Sequence, residues 1–264
     1  MTDGYRAACR QPRRVYQVVV IVLLALVCCA CSGSGCDDGQ HPPDCTHVLF
    51  VGNSYTFVND LPATFAGLAE AGRHPVDVAM AASGGWTLEK HLASPETLDQ
   101  IKSKQWDQVV LQEQSQMPAY EQSRTVYMYP AARSLVKVIR EDGAAPLFFE
   151  TWGYRDGDPQ YGLAGYEPMQ AQLAWGYQRI AQELNAQLAP VGAAWRASRR
   201  QAPQIDLWQA DGSHPSKAGT YLAACVFYAV IFRESPEGLA YTGGLSAEQA
   251  QALQKISAEV VFPR

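Results

Sequence analysis

The chain has 264 residues, of which 47% are hydrophobic and 18% are charged, with 16 Pro and 21 Gly. This composition is typical of a folded globular protein and excludes a disordered or collagen-like chain, and a chain of this length buries a full core within one large domain. The formal net charge of -5 at pH 7 excludes a general nucleic-acid binder, because such a protein neutralises phosphates with clustered Lys and Arg.

The first predicted element is an export signal over residues 1–30. Four arginines precede an uncharged apolar run from Val15 to Ala30, which is the pattern of a basic n-region followed by an apolar h-region. The run is shorter than the roughly 20 residues that a membrane-spanning helix needs. It ends in Cys28-Cys29-Ala30-Cys31, which resembles a bacterial lipoprotein processing site with Cys31 as the lipidated residue. The sequence therefore predicts a periplasmic or cell-envelope lipoprotein anchored through Cys31, with an uncleaved anchor and ordinary signal cleavage as alternatives.

A flexible tether is predicted between the lipid and the folded domain, over residues 31–45, because this stretch is rich in Ser, Gly, Asp and Pro. Two cysteines flank it. In an oxidising compartment two arrangements remain open, namely a disulfide between Cys36 and Cys45, or a zinc site that adds His41 and His47 without a recognised ligand spacing.

From residue 46 onward, short apolar runs typical of strands alternate with stretches of helical periodicity. The predicted strands are, in chain order, Val48–Val51, Val76–Ala81, Val109–Leu111 and Leu147–Phe149. The predicted helices lie around residues 61–69, 132–139, 173–184 and 221–232, and Cys225 in the last of them is expected to be an inert core thiol. Because short strands that are apolar on both faces need cover on both sides, residues 46–264 are predicted to form an α/β fold, a three-layer α/β/α sandwich with a mainly parallel central sheet.

Residues that follow the predicted strands are candidates for chemistry, because ligands of such sheets bind beyond the carboxyl ends of the strands. Ser54 follows the first strand, where it is either a nucleophile on a tight turn or a turn residue that caps the backbone. His214 precedes the last predicted helix, with Asp211 three residues before it. A serine hydroxyl needs a base to take its proton, and the imidazole needs a carboxylate to hold its tautomer. The three residues together predict a catalytic triad.

Four blocks of the sequence resemble those of the SGNH, or GDSL-like, hydrolase superfamily, and the resemblance spans the whole mature domain. The blocks are Gly52-Asn53-Ser54, Ser83-Gly84-Gly85-Trp86-Thr87, Gln112-Glu113-Gln114-Ser115 and Asp211-Gly212-Ser213-His214. The familiar form has Asp in place of Asn53, and the third block usually reads Gly-x-Asn-Asp, so Gln114 falls on the family's oxyanion asparagine. The chain is similar to a bacterial branch of the superfamily whose members mostly lack an assigned substrate.

The resemblance implies a flavodoxin-like fold, no metal or cofactor, and a two-step acyl transfer through Ser54. It also implies an oxyanion hole formed by the Ser54 N–H, the Gly85 N–H and the Gln114 side chain. Gly84 is an alternative to Gly85, and the alternative role of Gln114 is to brace its loop. Three aromatic residues after predicted strands are candidates for a substrate wall, with simple packing as the alternative: Trp86, Trp152 and Tyr154.

The sequence favours a serine esterase that removes small O-acyl groups, O-acetyl above all, from carbohydrate, because export places the protein beside envelope or imported polysaccharide. The expected partner is a small-molecule or glycan ester, not a nucleic acid. An O-acyltransferase would use the same residues, whereas a glycan-binding lipoprotein would need neither Ser54 nor His214. Glu113 and Glu150 also follow predicted strands, where paired carboxylates would make a glycosidase and single ones would bind loop backbone.

Overall fold

The computed structural model of the protein describes residues 1, 36 and 45–263, and residues 45–263 lie within one compact unit. The predicted signal segment, the lipidated Cys31 and most of the tether fall outside the described residues. Cys36 and Cys45 are joined by a disulfide, with their Cα atoms 6.0 Å apart, so their sulfur atoms are not free to bind zinc. Among the residues that the structure describes, no helix is both long and apolar enough to span a membrane.

The sheet has five strands, which are β1 (Thr46–Gly52), β2 (Val76–Ala82), β3 (Gln108–Leu111), β4 (Ala145–Phe149) and β7 (Gln187–Ala189). Between β4 and β7, the short strands β5 (Gly157–Asp158) and β6 (Leu163–Ala164) form a separate antiparallel hairpin. The order in the five-stranded sheet is β2-β1-β3-β4-β7, and every neighbouring pair is parallel. The predicted strands are therefore confirmed as β1 to β4, and their carboxyl ends lie at one edge of the sheet.

The helices are, in chain order, α1 (Ser54–Phe57), α2 (Leu61–Ala71), α3 (Leu88–Leu92), α4 (Pro95–Ile101), α5 (Glu121–Ser123), α6 (Tyr129–Glu141), α7 (Tyr166–Glu183), α8 (Val191–Gln201), α9 (Lys217–Phe232) and α10 (Ala247–Val261). Single 3₁₀ turns occupy Met117–Ala119 and Pro159–Tyr161. A π-helical turn, Arg124–Met128, joins α5 to α6. It lies just before Pro130, which has no N–H with which to close an α-helical turn.

The central strand β1 shows why the strands are continuous apolar runs. Its side chains alternate between the faces, so Val48 and Phe50 pack into one hydrophobic cluster and Leu49 and Val51 into another, all without exposed surface. Helices α2, α8, α9 and α10 contribute to the first cluster, and α3, α4, α6 and α7 to the second. The three-layer α/β/α fold is thereby confirmed. Cys225 is fully buried in α9, where burial raises the pKa of its thiol, as expected for an inert core cysteine.

The sequence does not predict β7, α8 or α10. β7 has three residues, and only Ala189 among them is buried, so the strand leaves no apolar run to detect. α8 carries three arginines within its eleven residues, and its apolar face is narrow. α10 begins at a capping box formed by Ser246 and Gln249, a sequence signal from which this helix could have been predicted.

Candidate active site

The nucleophile candidate Ser54 lies at the start of α1, directly after β1. Asn53 is the N-cap, and its Oδ1 accepts the N–H of Tyr55 at 3.2 Å. Its Nδ2 donates to the Trp86 carbonyl at 2.9 Å, which ties the turn to the glycine-containing segment after β2. Aspartate could not donate this bond, because an ionised carboxylate only accepts. The structure thus gives a physical reason for Asn at this position.

Gln112, which the sequence reasoning missed as a site residue, holds the same turn from the neighbouring strand. Its Oε1 accepts the N–H of Asn53 at 2.8 Å and the hydroxyl of Thr56 at 3.0 Å, and its side chain has no exposed surface. The sequence could have indicated Gln112 as a site residue, because it directly follows a buried strand and the carboxyl ends of parallel strands lie at one edge of the sheet. Gln112 fixes the backbone that carries Ser54.

His214 lies beside Ser54, although 160 residues separate the two in sequence, and Asp211 contacts the other side of the imidazole. The Nε2 of His214 lies 3.0 Å from the Ser54 Oγ, and its Nδ1 lies 2.6 Å from Asp211 Oδ2. Asp211 Oδ1 accepts the N–H groups of Ser213 and His214, each at 2.9 Å. Burial acts to raise the pKa of Asp211, but its hydrogen bonds to the His214 side chain and to these two N–H groups outweigh burial and hold the pKa below its ordinary value. An ionised Asp211 therefore faces the imidazole.

Gly85 lies in an exposed turn after β2, which the N–H of Trp86 closes by donating to the Ser83 carbonyl at 3.1 Å. The backbone φ of Gly85 is +68°, a conformation that favours glycine. A Cβ on Gly85 or Gly84 would meet nothing within 4 Å, so this side of the turn is open to an approaching substrate.

Gln114 is held by its own loop. Its Oε1 accepts the N–H groups of Gln116 and Met117 at 2.9 and 3.2 Å, and its Nε2 donates to the Ser115 Oγ at 3.2 Å. These bonds show that the Gln114 side chain stabilises its own loop. They leave the second hydrogen of Nε2 available for an oxyanion, because a side-chain amide carries two donors.

We expect Gln114→Ala to lower kcat by about 10² to 10³ with little change in KM if the Nε2 group binds the oxyanion, because the oxyanion exists only along the reaction path. Gln114→Glu should be at least as harmful, since it removes the donor and sets a negative charge against the developing one. Steady-state kinetics on an activated acetate ester measure both. A loss of less than about tenfold in the Ala variant, the size of a modest misplacement, would leave Gln114 with the bracing role alone.

The predicted substrate wall needs correction at Trp152. Its indole has no exposed surface, and it stacks between Tyr55 and Trp195 with ring centroids 4.5 and 4.0 Å away. The prediction that it contacts substrate is wrong, because packing on both ring faces leaves no room. Its Nε1 instead donates to the Ser213 carbonyl at 3.0 Å, so it supports the His214 loop from within. Trp86 and Tyr154 are partly exposed and remain candidates for the wall.

Glu113 and Glu150 do not form the exposed carboxylate pair that a glycosidase needs, because neither has exposed surface. Glu113 Oε1 accepts the N–H groups of Leu88 and Gln114 at 3.2 and 2.6 Å, which is the bracing role. Burial raises the pKa of Glu113 to about 7 and the pKa of Glu150 to about 7. Glu113 therefore supports the site, whereas Glu150 Oε1 accepts a bond from the Gln170 Nε2 at 3.4 Å.

The raised pKa of Glu150 predicts a pH-dependent stability. The stability that a protonated carboxyl contributes is present below its unfolded pKa of 4.5 and is lost as the pH rises through about 7. Between pH 5 and pH 8 we expect the free energy of unfolding to fall by about 2 to 3 kcal/mol more in the wild type than in Glu150→Gln, at about 1.4 kcal/mol per pH unit. Urea unfolding at both pH values measures the difference. Equal pH dependence in the two proteins would contradict a buried, protonated Glu150.

Several solved structures similar to this chain are described as hydrolases or esterases. A protein of Slackia heliotrinireducens described as an SGNH hydrolase is 32% identical, with a TM-score of 0.61 over 71% of this chain and 99% of that chain. A DUF4886 family protein from Bacteroides uniformis is 19% identical, with a TM-score of 0.70 over 83% of this chain and 96% of that one. A variant of an acetyl-xylooligosaccharide esterase from Geobacillus is 18% identical, with a TM-score of 0.52 over 71% and 93%. No protein-family model and no curated protein matches the sequence.

Proposed function

Because the chain belongs to the SGNH hydrolase family and is a hydrolase of ester bonds, we propose that it is a serine esterase in which Ser54, His214 and Asp211 form the catalytic triad. The observation that carries the proposal is the hydrogen-bonded line from the Ser54 Oγ through both nitrogens of His214 to Asp211, with distances of 3.0 and 2.6 Å. The Nδ1–H is directed to the carboxylate, so Nε2 is left as the acceptor for the serine proton.

The reaction proceeds in two acyl-transfer steps. Ser54 Oγ attacks the ester carbonyl while His214 Nε2 takes its proton, and the tetrahedral oxyanion collapses as the imidazolium protonates the departing alcohol. A water molecule then attacks the acyl-enzyme, with His214 again as base, and releases the acid and free Ser54. The N–H groups of Ser54 and Gly85, with the Gln114 amide, are proposed to bind the oxyanion.

The proposed substrate is a small O-acyl ester on carbohydrate, with O-acetyl as the leading group. The site is open, since 35% of the His214 side chain and 47% of the Asp211 side chain are exposed and the turn at Gly84 and Gly85 is exposed. An open site of this kind admits a bulky sugar. The similar fold of the acetyl-xylooligosaccharide esterase supports the same substrate class.

An ester panel run on the full chain tests the substrate proposal. We expect hydrolysis of activated acetate to exceed that of the octanoate and decanoate esters in kcat/KM, and we expect acetate release from acetylated xylo-oligosaccharide. The Ser54→Ala variant serves as the blank for non-enzymatic hydrolysis. A preference for the long acyl chains, with no acetate released from the glycan, would contradict the carbohydrate substrate while leaving the esterase activity intact.

The location proposed for the enzyme is the bacterial periplasm or cell envelope, with Cys31 as the lipid anchor. The support is the sequence itself, in which a basic segment and an apolar run lead to Cys31. We expect Cys31→Ser to abolish detergent partitioning and labelling by radioactive palmitate in the native host. Cys225→Ser is the matched control, because Cys225 lies in α9, far in sequence from the export signal that would direct lipidation. Unchanged labelling of the Cys31 variant would contradict the anchor.

A further inference from the structure

Three proposed catalytic residues each have a sequence neighbour that enters one cluster of hydroxyl groups. Tyr55 follows Ser54, Ser115 follows Gln114, and Ser213 precedes His214. The fourth member comes from the segment after β4. We define the hydroxyl cluster as the side-chain hydroxyls of Tyr55, Ser115, Tyr154 and Ser213.

Two short hydrogen bonds build the cluster. The Tyr55 hydroxyl lies 2.8 Å from the Ser213 Oγ, and the Tyr154 hydroxyl lies 2.8 Å from the Ser115 Oγ. Both bonds connect segments that are remote in sequence, and the Tyr55 side chain is 2% exposed. Hydrogen bonds of this kind constrain the segments because a buried hydroxyl without a partner costs free energy.

The two bonds connect different parts of the site. The Tyr55–Ser213 bond joins the nucleophile turn to the His214 loop, and the Tyr154–Ser115 bond joins the segment after β4 to the Gln114 loop. Burial raises the pKa of Tyr55 and the pKa of Tyr154. Both phenols therefore stay neutral and keep their protons for donation.

Backbone hydrogen bonds already hold part of the His214 loop, from the Arg155 N–H to the Gly212 carbonyl and from the Gln209 N–H to the His214 carbonyl, each at 2.8 Å. The Tyr55–Ser213 bond adds a side-chain contact between this loop and the residue next to the nucleophile. The Tyr55 ring is itself immobile, since it stacks on Trp152 at 4.5 Å with an interplanar angle of 8°. A rigid phenol adjacent to the nucleophile therefore holds, through Ser213, the loop that carries the base.

We propose that the hydroxyl cluster positions the groups of the site through its two pairs: the Tyr55–Ser213 bond holds the nucleophile turn against the loop that carries the base, and the Tyr154–Ser115 bond holds the Gln114 loop against the segment after β4. The members are positioning residues and need not touch the substrate. The inference rests on the proposed triad. A displacement of about 1 Å between reacting groups costs on the order of 10²-fold in rate, so loss of one bond in the cluster should reduce kcat and spare KM.

Kinetics of Tyr55→Phe, Ser213→Ala and their double variant on an activated acetate ester test the proposal. We expect each single change to lower kcat by about 10- to 50-fold with KM within about twofold. Because both changes remove the same bond, the double variant should lose no more than about twice the larger single loss. Ser213→Thr, which keeps the hydroxyl, should return kcat to within about threefold of the wild type.

Tyr129→Phe is the matched control. It also removes a buried phenol hydroxyl, which donates to the Gly176 carbonyl at 3.1 Å, but on the opposite face of the sheet. Its kcat should equal that of the wild type. Titration with an activated phosphonate ester counts the folded active sites in every variant, so that a loss through unfolding is separated from a loss in kcat.

Several results would overturn the positioning role. These are kcat losses below twofold in both single variants, losses that multiply in the double variant, or losses that vanish when kcat is expressed per phosphonate-reactive site. Failure of the triad itself has a different signature, because the phosphonate would then not label Ser54 in the wild type, and both proposals would fall. Wild-type labelling with fully active Tyr55→Phe and Ser213→Ala proteins would remove the hydroxyl cluster alone.

Discussion

Ser54→Ala should lose essentially all turnover of an activated acetate ester, a fall in kcat of at least about 10⁴, because no other group replaces the attacking oxygen. The residual rate would come from the oxyanion donors and substrate binding. Stability should change little, since the hydroxyl is partly exposed and fills almost no core volume. Steady-state kinetics and a thermal melt measure the two effects, and mass spectrometry after phosphonate treatment should show an adduct on wild-type Ser54 that the variant lacks.

The matched control is Ser134→Ala, which removes an exposed helix hydroxyl bonded to the Pro130 carbonyl and should keep full activity. Glu113→Gln and Glu150→Gln provide the contrast with glycosidase chemistry. If these two changes abolished the chemical step while Ser54→Ala retained it, the carboxylates would be the reacting groups. We expect instead that the Gln variants retain the phosphonate reaction at Ser54, because both carboxylates are buried away from solvent.

Asp211→Asn should lower kcat by about 10³ to 10⁴ by reversing the tautomer of His214. In the wild type, one Asp211 oxygen accepts the two backbone N–H groups and the other accepts from His214 Nδ1. In the variant, the amide oxygen would keep the backbone bonds, and the NH₂ group would then face Nδ1. The proton would move to Nε2, and the imidazole could no longer accept the proton of Ser54.

Kinetics with an acetate ester measure this loss, and Asp99→Asn on the exposed face of α4 controls for the change in net charge. KM should stay near the wild-type value, because Asp211 acts on the imidazole and not on the bound ester. A kcat loss below about tenfold would mean that solvent replaces the carboxylate at this half-exposed position, and Asp211 would then have no essential role as the orienting group.

The main strands and the triad candidates could be predicted from sequence because their signals are local. Val48–Val51 is apolar at four consecutive positions, which is typical of a short strand buried on both faces. Ser54 follows that strand directly, and Asp211 and His214 share one loop, so each candidate is visible within a few residues. The rule that parallel strands end at one edge places the segment after β1 beside those after β2, β3 and β4. Asp211 and His214 directly follow no strand of the sheet, and they are grouped with Ser54 because a serine hydroxyl needs a base and the base needs a carboxylate.

The details that hold the site could not be predicted in this way. Trp152 follows a strand just as a wall residue would, and only the placement of Tyr55 and Trp195 on its two ring faces shows that it is buried. Gln112 and Ser213 carry ordinary polar side chains, and their partners lie 59 and 158 residues away. The local sequence marks Gln112 as a residue that follows a strand, but it does not encode which residue Gln112 or Ser213 contacts.

The sequence by itself therefore determined the layered α/β fold, the family resemblance and the residues available for acyl transfer, because apolar periodicity and the order of motifs are properties of short segments. Only the tertiary structure decided which aromatic rings face inward, that Glu113 and Glu150 are buried, and that the Gln114 amide braces its loop. These depend on contacts between segments that become neighbours when the chain folds, and the direction in which a side chain points is set by the packing around it.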